Sequence, residues 1–379
     1  MFWEKEGKLI YSYDGETVCI EAWGKDALRV RATKNRSFTG RDWALEAKDA
    51  HAGEVEIFED PSAKGGAFAN MYEGTDTSYG KITNGKLHAV IDSGSVITFY
   101  HEDGRVLLKE HFRRLRDEES MPLNIMGREY SNGVGDNFRI VARFVARKGE
   151  KIFGMGQYQQ HELDLKGCML ELAQRNSQVS VPFYLSSIGY GFLWNNPGVG
   201  QVMFANNGTE WVTESGKEID YLVIAGDTPA EIEENYMTLT GKPPMMPEYG
   251  MGFWQCKLRY WNQEQLLSVA RKYKELGVPL DVIVVDFFHW TKQGEFKFDP
   301  KYWPDVPGMC RELKEMGIQV VVSVWPTVDI YSENFEEMKE KGYLVRTEHG
   351  VPLTMLCGGN EVFFDATNPD ARTYVWEKI

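Results

Sequence analysis

The sequence holds one segment in which a carboxylate leaves an apolar run and enters a cluster of rings: Val284-Val285-Asp286-Phe287-Phe288-His289-Trp290. A second segment, Ser323-Val324-Trp325-Pro326, puts another large ring after a β-branched run. An ionised carboxylate accepts strong hydrogen bonds from hydroxyl groups, and aromatic faces cover the C–H faces of a small polar ring. Together Asp286, Phe287, Phe288, His289, Trp290 and Trp325 therefore suit a sugar. Each also has a plainer reading. Asp286 can cap a helix or pair with a cation, His289 can be a hydrogen-bonded structural imidazole, and Trp290 and Trp325 can be core residues. Asp281 lies at the other end of the same run. Five strand residues separate it from Asp286 by roughly 16 Å and turn it to the opposite face, so the two cannot act as one acid/base pair.

Other candidates carry less. Asp299-Pro300 and Asp305 read as turn residues. Gly154-Met155-Gly156 lacks the third glycine and the following helix of a dinucleotide loop. No Ser-His-Asp or Cys-His spacing stands out, and no metal site or cofactor is expected.

The elements that must position these residues change character along the chain. Residues 17–23, 27–31, 86–91, 96–100 and 138–145 alternate like half-buried strands, with turns at Gly85, Asp92-Ser93-Gly94 and Asp103-Gly104. Many strands and few helical stretches predict an antiparallel β-sandwich over residues 1–226. A helix capped by Asp227 or Thr228, with Pro229 in its first turn, leads to Gly241-Lys242-Pro243-Pro244, so residues 227–246 read as a connecting segment. From residue 247 strands and amphipathic helices alternate: strands over 251–256, 281–288 and 320–325, and helices over 264–275, 308–316 and 332–341. A last helix starts at Thr367-Asn368-Pro369-Asp370. This pattern predicts parallel βαβ units, the first part of a (β/α)8 barrel over 247–379 that stops before its fourth strand. In such folds functional groups project from the C-terminal ends of the strands, which is where Asp286 and Trp325 fall.

Composition narrows the ligand class. Of the 379 residues 42 are Lys or Arg and 56 are Asp or Glu, for a formal charge of −14. That balance, with no basic cluster, argues against nucleic acid and anionic membrane surfaces. Apolar runs such as Val282–Val285 are far too short to span a bilayer. Five scattered cysteines without a C-x-x-C pair, and a charged start at Met1-Phe2-Trp3-Glu4-Lys5-Glu6, predict a reducing, cytoplasmic location. The sequons at Asn35 and Asn207 then read as chance matches.

The same stretches carry a family resemblance. Residues 81–87 and 105–110, Phe153-Gly154-Met155-Gly156-Gln157, Val181-Pro182-Phe183-Tyr184, residues 247–255, Val285 to Trp290, Phe298-Asp299-Pro300, Trp303-Pro304-Asp305 and Ser323 to Pro326 follow one another in the order seen in glycoside hydrolase family 31, which the chain resembles over nearly its whole length. The resemblance implies a retaining α-glycosidase in which Asp286 binds hydroxyls of the sugar at the scissile bond, and in which residues 153–157, 181–184 and Gly189-Tyr190-Gly191 belong to the sandwich loop reaching the active site. Family α-glucosidases usually place a second Asp two positions after this one; here that position is Phe288. A phenyl ring there removes a hydroxyl acceptor and narrows the pocket, which favours a sugar without a hydroxymethyl group. With Gln174-Arg175-Asn176 upstream and Val324-Trp325-Pro326 downstream, the chain is most similar to the α-xylosidase branch, and Gln174 and Asn176 join the expected substrate-binding set.

The family's nucleophile and acid/base match no position here and would lie beyond Ile379. The expected function is thus that of a fragment of a hydrolase acting on terminal α-xylosyl residues of oligosaccharides. An α-glucosidase or α-galactosidase of the same family, or a non-catalytic carbohydrate-binding fragment, is the alternative. An incomplete barrel also predicts self-association, or a second polypeptide that completes it.

Overall fold

The fold was obtained as a computed structural model, which describes residues 1–61, 77–111, 113–114, 124–347, 349–355 and 360–379. Cys357 lies outside the described residues. The chain divides into two compact units, Met1–Pro243 and Pro244–Ile379.

The first unit is an antiparallel β-sandwich. A nine-stranded sheet runs from Phe2–Lys5 at one edge to Ile152–Gln157 at the other, and Ala27–Thr33 pairs with Ile219–Ala225 near its middle. Two five-stranded sheets accompany it, one from Glu54–Phe58 to Val106–Lys109 and one from Arg128–Asn132 to Met169–Leu172. Alternate residues of all three sheets point into one core that includes Val30, Ile82, Phe99, Phe192, Trp211 and Tyr221. That convergence is what the period-2 pattern demands of strands with one apolar face.

The helix Pro229–Thr240 starts as expected, with the Thr228 hydroxyl accepting from the Glu231 amide. Its buried residues Ile232 and Leu239 join a core with Phe183, Leu193 and Leu222, and Tyr236 stacks on Phe183 at 3.8 Å. The helix is therefore packed on the sandwich, and the exposed residues that follow, from Gly241 onward, form the connection.

One edge of the large sheet departs from regular pairing. Between Gly154 and Gly156 the register against Val179–Ser186 shifts, and Gly154, Met155 and Gly156 all have positive φ. A Cβ on Gly156 would sit 2.2 Å from the Val179 carbonyl oxygen, so only glycine lets the two backbones approach this closely.

The second unit contains the start of a parallel sheet. Trp254–Gln255, Val282–Val285 and Gln319–Val322 pair in parallel, with Gln255 opposite Ile283 and Val285 opposite Val322. The helices Gln263–Glu275 and Val306–Glu315 share a core with it through Leu266, Ala270, Ile283, Met309 and Leu313. The strands are shorter than the sequence implied. Residues 248–251 form a 3-10 turn, leaving two residues of the expected strand over 251–256, and the second strand ends before Asp286. Residues 320–322 are half-buried because their strand has a neighbour on one side only among the described residues.

An element that the sequence did not suggest follows the third strand. Thr327–Asp329 pairs antiparallel with Glu361–Phe363, and Val328, Phe335, Met338, Val362, Tyr374 and Val375 form a separate small core. The two strands have three residues each and are separated by 31 residues, so neither periodicity nor a turn signal marks them.

Candidate functional site

The site in the second unit begins where the strand Val282–Val285 stops. Asp286 follows directly, and Phe287 and Phe288 then adopt φ of 60° and 55°. Left-handed backbone costs a non-glycine residue about 1–2 kcal/mol, and two such residues in succession swing the chain away from the strand axis. The Phe287 ring lies 4.6 Å from Trp325, 5.8 Å from Trp290 and 3.7 Å from Phe288. Five of the expected residues, Asp286 to Trp290, thus leave the end of one strand, and Trp325 meets them from the segment after the next.

Electrostatics divide these residues by task. The Cys256 sulfur lies 3.7 Å from Asp286 Oδ2, and burial, reinforced by that carboxylate, raises the thiol pKa. Cys256 is therefore a neutral thiol at pH 7 and no nucleophile. His289 is buried against Trp290 and Phe298, with ring centroids 4.6 and 4.7 Å away. Burial lowers its pKa to about 4, overriding the opposing pull of Asp286, so the imidazole is neutral at pH 7. Its Nδ1 is buried without a hydrogen-bond partner.

A cavity of about 340 Å³ opens beside this cluster, lined by His289, Trp290 and Trp325 together with Gln293, Lys297 and Phe298, among others. Asp286, Phe287 and Phe288 stand outside its lining. The wall is pinned by polar contacts to the small antiparallel pair. The Gln293 amide donates to the Thr327 hydroxyl, which donates to Glu361 Oε2 at 3.2 Å. Asn334 Nδ2 donates to the Gly294 carbonyl at 2.8 Å, and Lys297 pairs with Glu333 at 2.6 Å. No group of three or more His, Cys, Asp or Glu among the described residues could hold a metal ion.

Gln174 and Asn176 belong to the first unit, in the turn between Met169–Leu172 and Val179–Ser186. The Gln174 side chain donates to the Ser180 carbonyl at 2.9 Å and accepts from the Ser180 amide at 3.1 Å. Its amide is thereby engaged in holding its own hairpin, whereas Asn176 is exposed. Sequence reasoning passed over Arg259 and Trp261. The Arg259 guanidinium stacks 3.6 Å from the Trp261 ring centroid and 4.7 Å from that of Phe288. The available signal was their alternate spacing just before the helix cap Asn262.

This arrangement offers a carboxylate acceptor, a neutral imidazole and several ring faces, groups whose chemistry is compatible with a polyhydroxylated ring.

Comparison with known proteins establishes the family. A family model described as the glycosyl hydrolase 31 N-terminal galactose mutarotase-like domain matches residues 17–202, and one described as the glycosyl hydrolases family 31 TIM-barrel domain matches residues 243–379. An uncharacterized family 31 glucosidase from Pseudescherichia vulneris is 42% identical over 99% of the chain, which spans 70% of that protein. Alpha-xylosidase A from Aspergillus niger is 29% identical over 96% of the chain, which spans half of its length. The crystal structure of a GH31 alpha-xylosidase from a soil metagenome, complexed with xylose, superposes on the whole chain with a TM-score of 0.88 and 47% identity, and the chain covers 55% of it. With both domains matched in order and a relative aligned almost end to end, the chain belongs to glycoside hydrolase family 31.

Proposed function

We propose that this chain is the sandwich and the first barrel strands of an α-xyloside hydrolase, and that the strand-end cluster binds the xylosyl ring. The observation that carries the reading is the pair Phe287-Phe288 directly after Asp286, with Phe288 half-exposed at 49%. In this reading Asp286 accepts from ring hydroxyls, while Phe287 and Trp325 cover an apolar face of the sugar. Phe288 fills the space that a hydroxymethyl group would need. Support comes from the relatives described as α-xylosidases and from the xylose held by one of them. The competing substrate is an α-glucoside, because the relative from Pseudescherichia vulneris is described as a glucosidase.

Calorimetric titration of the purified protein with xylose and with glucose separates the two. Xylose should bind more tightly, and Phe288→Asp should move the preference toward glucose. Asp286→Ala should weaken xylose binding by roughly tenfold or more, the loss of a charge-assisted hydrogen bond, with an unchanged melting temperature. Tighter binding of glucose by the unaltered protein would reject the xylosyl reading and leave the family standing.

A further inference from the structure

The Asp286 carboxylate meets a single hydrogen-bond donor among the described residues, and that donor stands on the neighbouring strand end. The parallel register sets Gln255 opposite Ile283, so Cys256 lies one residue past that pair and Asp286 three residues past it. Side chains alternate between the two faces of a strand. Ile283 and Val285 pack into the core shared with the helices Gln263–Glu275 and Val306–Glu315, which turns Val284 and Asp286 to the opposite face. Gln255 also faces the helices, since its Oε1 accepts from the Tyr273 hydroxyl at 2.7 Å. Cys256, one position on, therefore comes to the same face as Asp286, and its Sγ stands 3.7 Å from Oδ2.

Chemistry fixes the direction of that contact. An ionised carboxylate has no proton to give, so the thiol donates. Burial first, and then the charge of Asp286, raise the thiol pKa and keep the proton on sulfur. An S–H group is a weak donor, whereas a carboxylate has about four acceptor positions over its two oxygens. One thiol can thus orient the group while most of its accepting capacity stays open to hydroxyls. A cation in that place would hold the carboxylate more firmly and would also occupy it. Asp286 joins no ion pair among the described residues.

We infer that Cys256 is a positioning residue for sugar binding: its thiol holds Oδ2 of Asp286 and leaves Oδ1 to accept from the hydroxyls of the ligand. This inference rests on the xylosyl reading and adds the residue that sets the angle of its acceptor.

Two measurements on the purified protein test it, one without sugar and one with it. The first follows alkylation of each cysteine by iodoacetamide at about pH 8, where the thiolate is the reacting form, read peptide by peptide by mass spectrometry. Asp286→Asn removes the charge that holds the proton on sulfur, so Cys256 should react about threefold faster or more. Cys310, exposed and without this contact, should keep its rate, and buried Cys19 should stay unreactive and so report a folded protein. An unchanged Cys256 rate overturns the pairing, whatever the sugar affinity.

The second measurement is a double-mutant cycle in xylose affinity, by calorimetry. Cys256→Ala should weaken binding about threefold to tenfold beside Asp286, and by less than about twofold in the Asp286→Ala background. A residue that only packs would lose the same factor in both backgrounds, and that result overturns the positioning role. Undiminished xylose affinity in Cys256→Ala overturns the positioning role alone and leaves the xylosyl reading standing. An unaltered protein that binds no xylose overturns both.

Discussion

Arg128 in the sandwich and His289 in the barrel portion are both buried, but their surroundings differ in kind. Arg128 donates to Glu110, to both oxygens of Glu16 at 3.0 Å, and to the Ser95 hydroxyl and carbonyl at 2.7 and 2.9 Å. The carboxylates are matched in turn: Glu16 also accepts from Tyr130 at 2.8 Å, and Glu110 from Tyr221 at 3.1 Å and the Ile97 amide at 3.0 Å. His289 Nδ1 has no such partner, and neither has Arg259 Nε. A saturated network ties strands together and has no bonding capacity left for a ligand. Unpaired groups beside exposed rings, reached through strained backbone, are the opposite arrangement.

The sharpest way to break this contrast is Arg128→Ala. It leaves Glu16 and Glu110 buried and facing each other without their cation, and should destabilise the sandwich by about 3–5 kcal/mol. Urea unfolding with a probe in the first unit measures it. A loss below about 1 kcal/mol would mean that the network is incidental to stability.

Acid should act next most strongly, and on the other unit. His289 is neutral in the folded chain with a pKa near 4, whereas an unfolded histidine titrates near 6.5. The unfolded state therefore binds the extra proton between these values. The stability that His289 contributes is fully present above about pH 6.5 and is lost as pH falls toward 4, by up to ~3 kcal/mol. His289→Phe should flatten this dependence in a melting series from pH 7 to 4. An unchanged slope would show that other groups carry it.

The smallest effect tests the start of a helix. Asn262→Ala removes the cap of Gln263–Glu275 and should cost about 1 kcal/mol. Thermal unfolding measures it, and an unchanged melting temperature would show that the cap is dispensable for the helix.

Much of the architecture was legible because strong local patterns agreed with tertiary packing. Alternation in residues 17–23 and 27–31 became paired strands at the centre of the large sheet, and Thr228 and Asn368 cap helices as expected, whereas Asp305, read as a turn residue, caps the helix Val306–Glu315. Asp286 was legible as a strand-end carboxylate for the same reason. The left-handed turn at Phe287-Phe288 was not, since neither residue favours that conformation and only the surrounding packing holds it. The small pair Thr327–Asp329 and Glu361–Phe363 escaped because its contacts are long-range. Arg259 escaped for a related reason: its meaning lies in two rings, one of them from a different loop.

The glycine-lined irregularity at the edge of the large sheet bears on how this protein can change over evolutionary time. Positions 154 and 156 face carbonyl oxygens at distances that no Cβ tolerates, 2.9 Å from Phe183 and 2.2 Å from Val179. Met155 between them is fully buried. Three consecutive positions are thus closed to ordinary substitution, so new variants of this edge must arise by lengthening or shortening the loop after Gln157. A library that randomises residues 154–156 would return mostly unfolded protein, whereas one that varies loop length beyond them would keep the sheet and sample new surfaces.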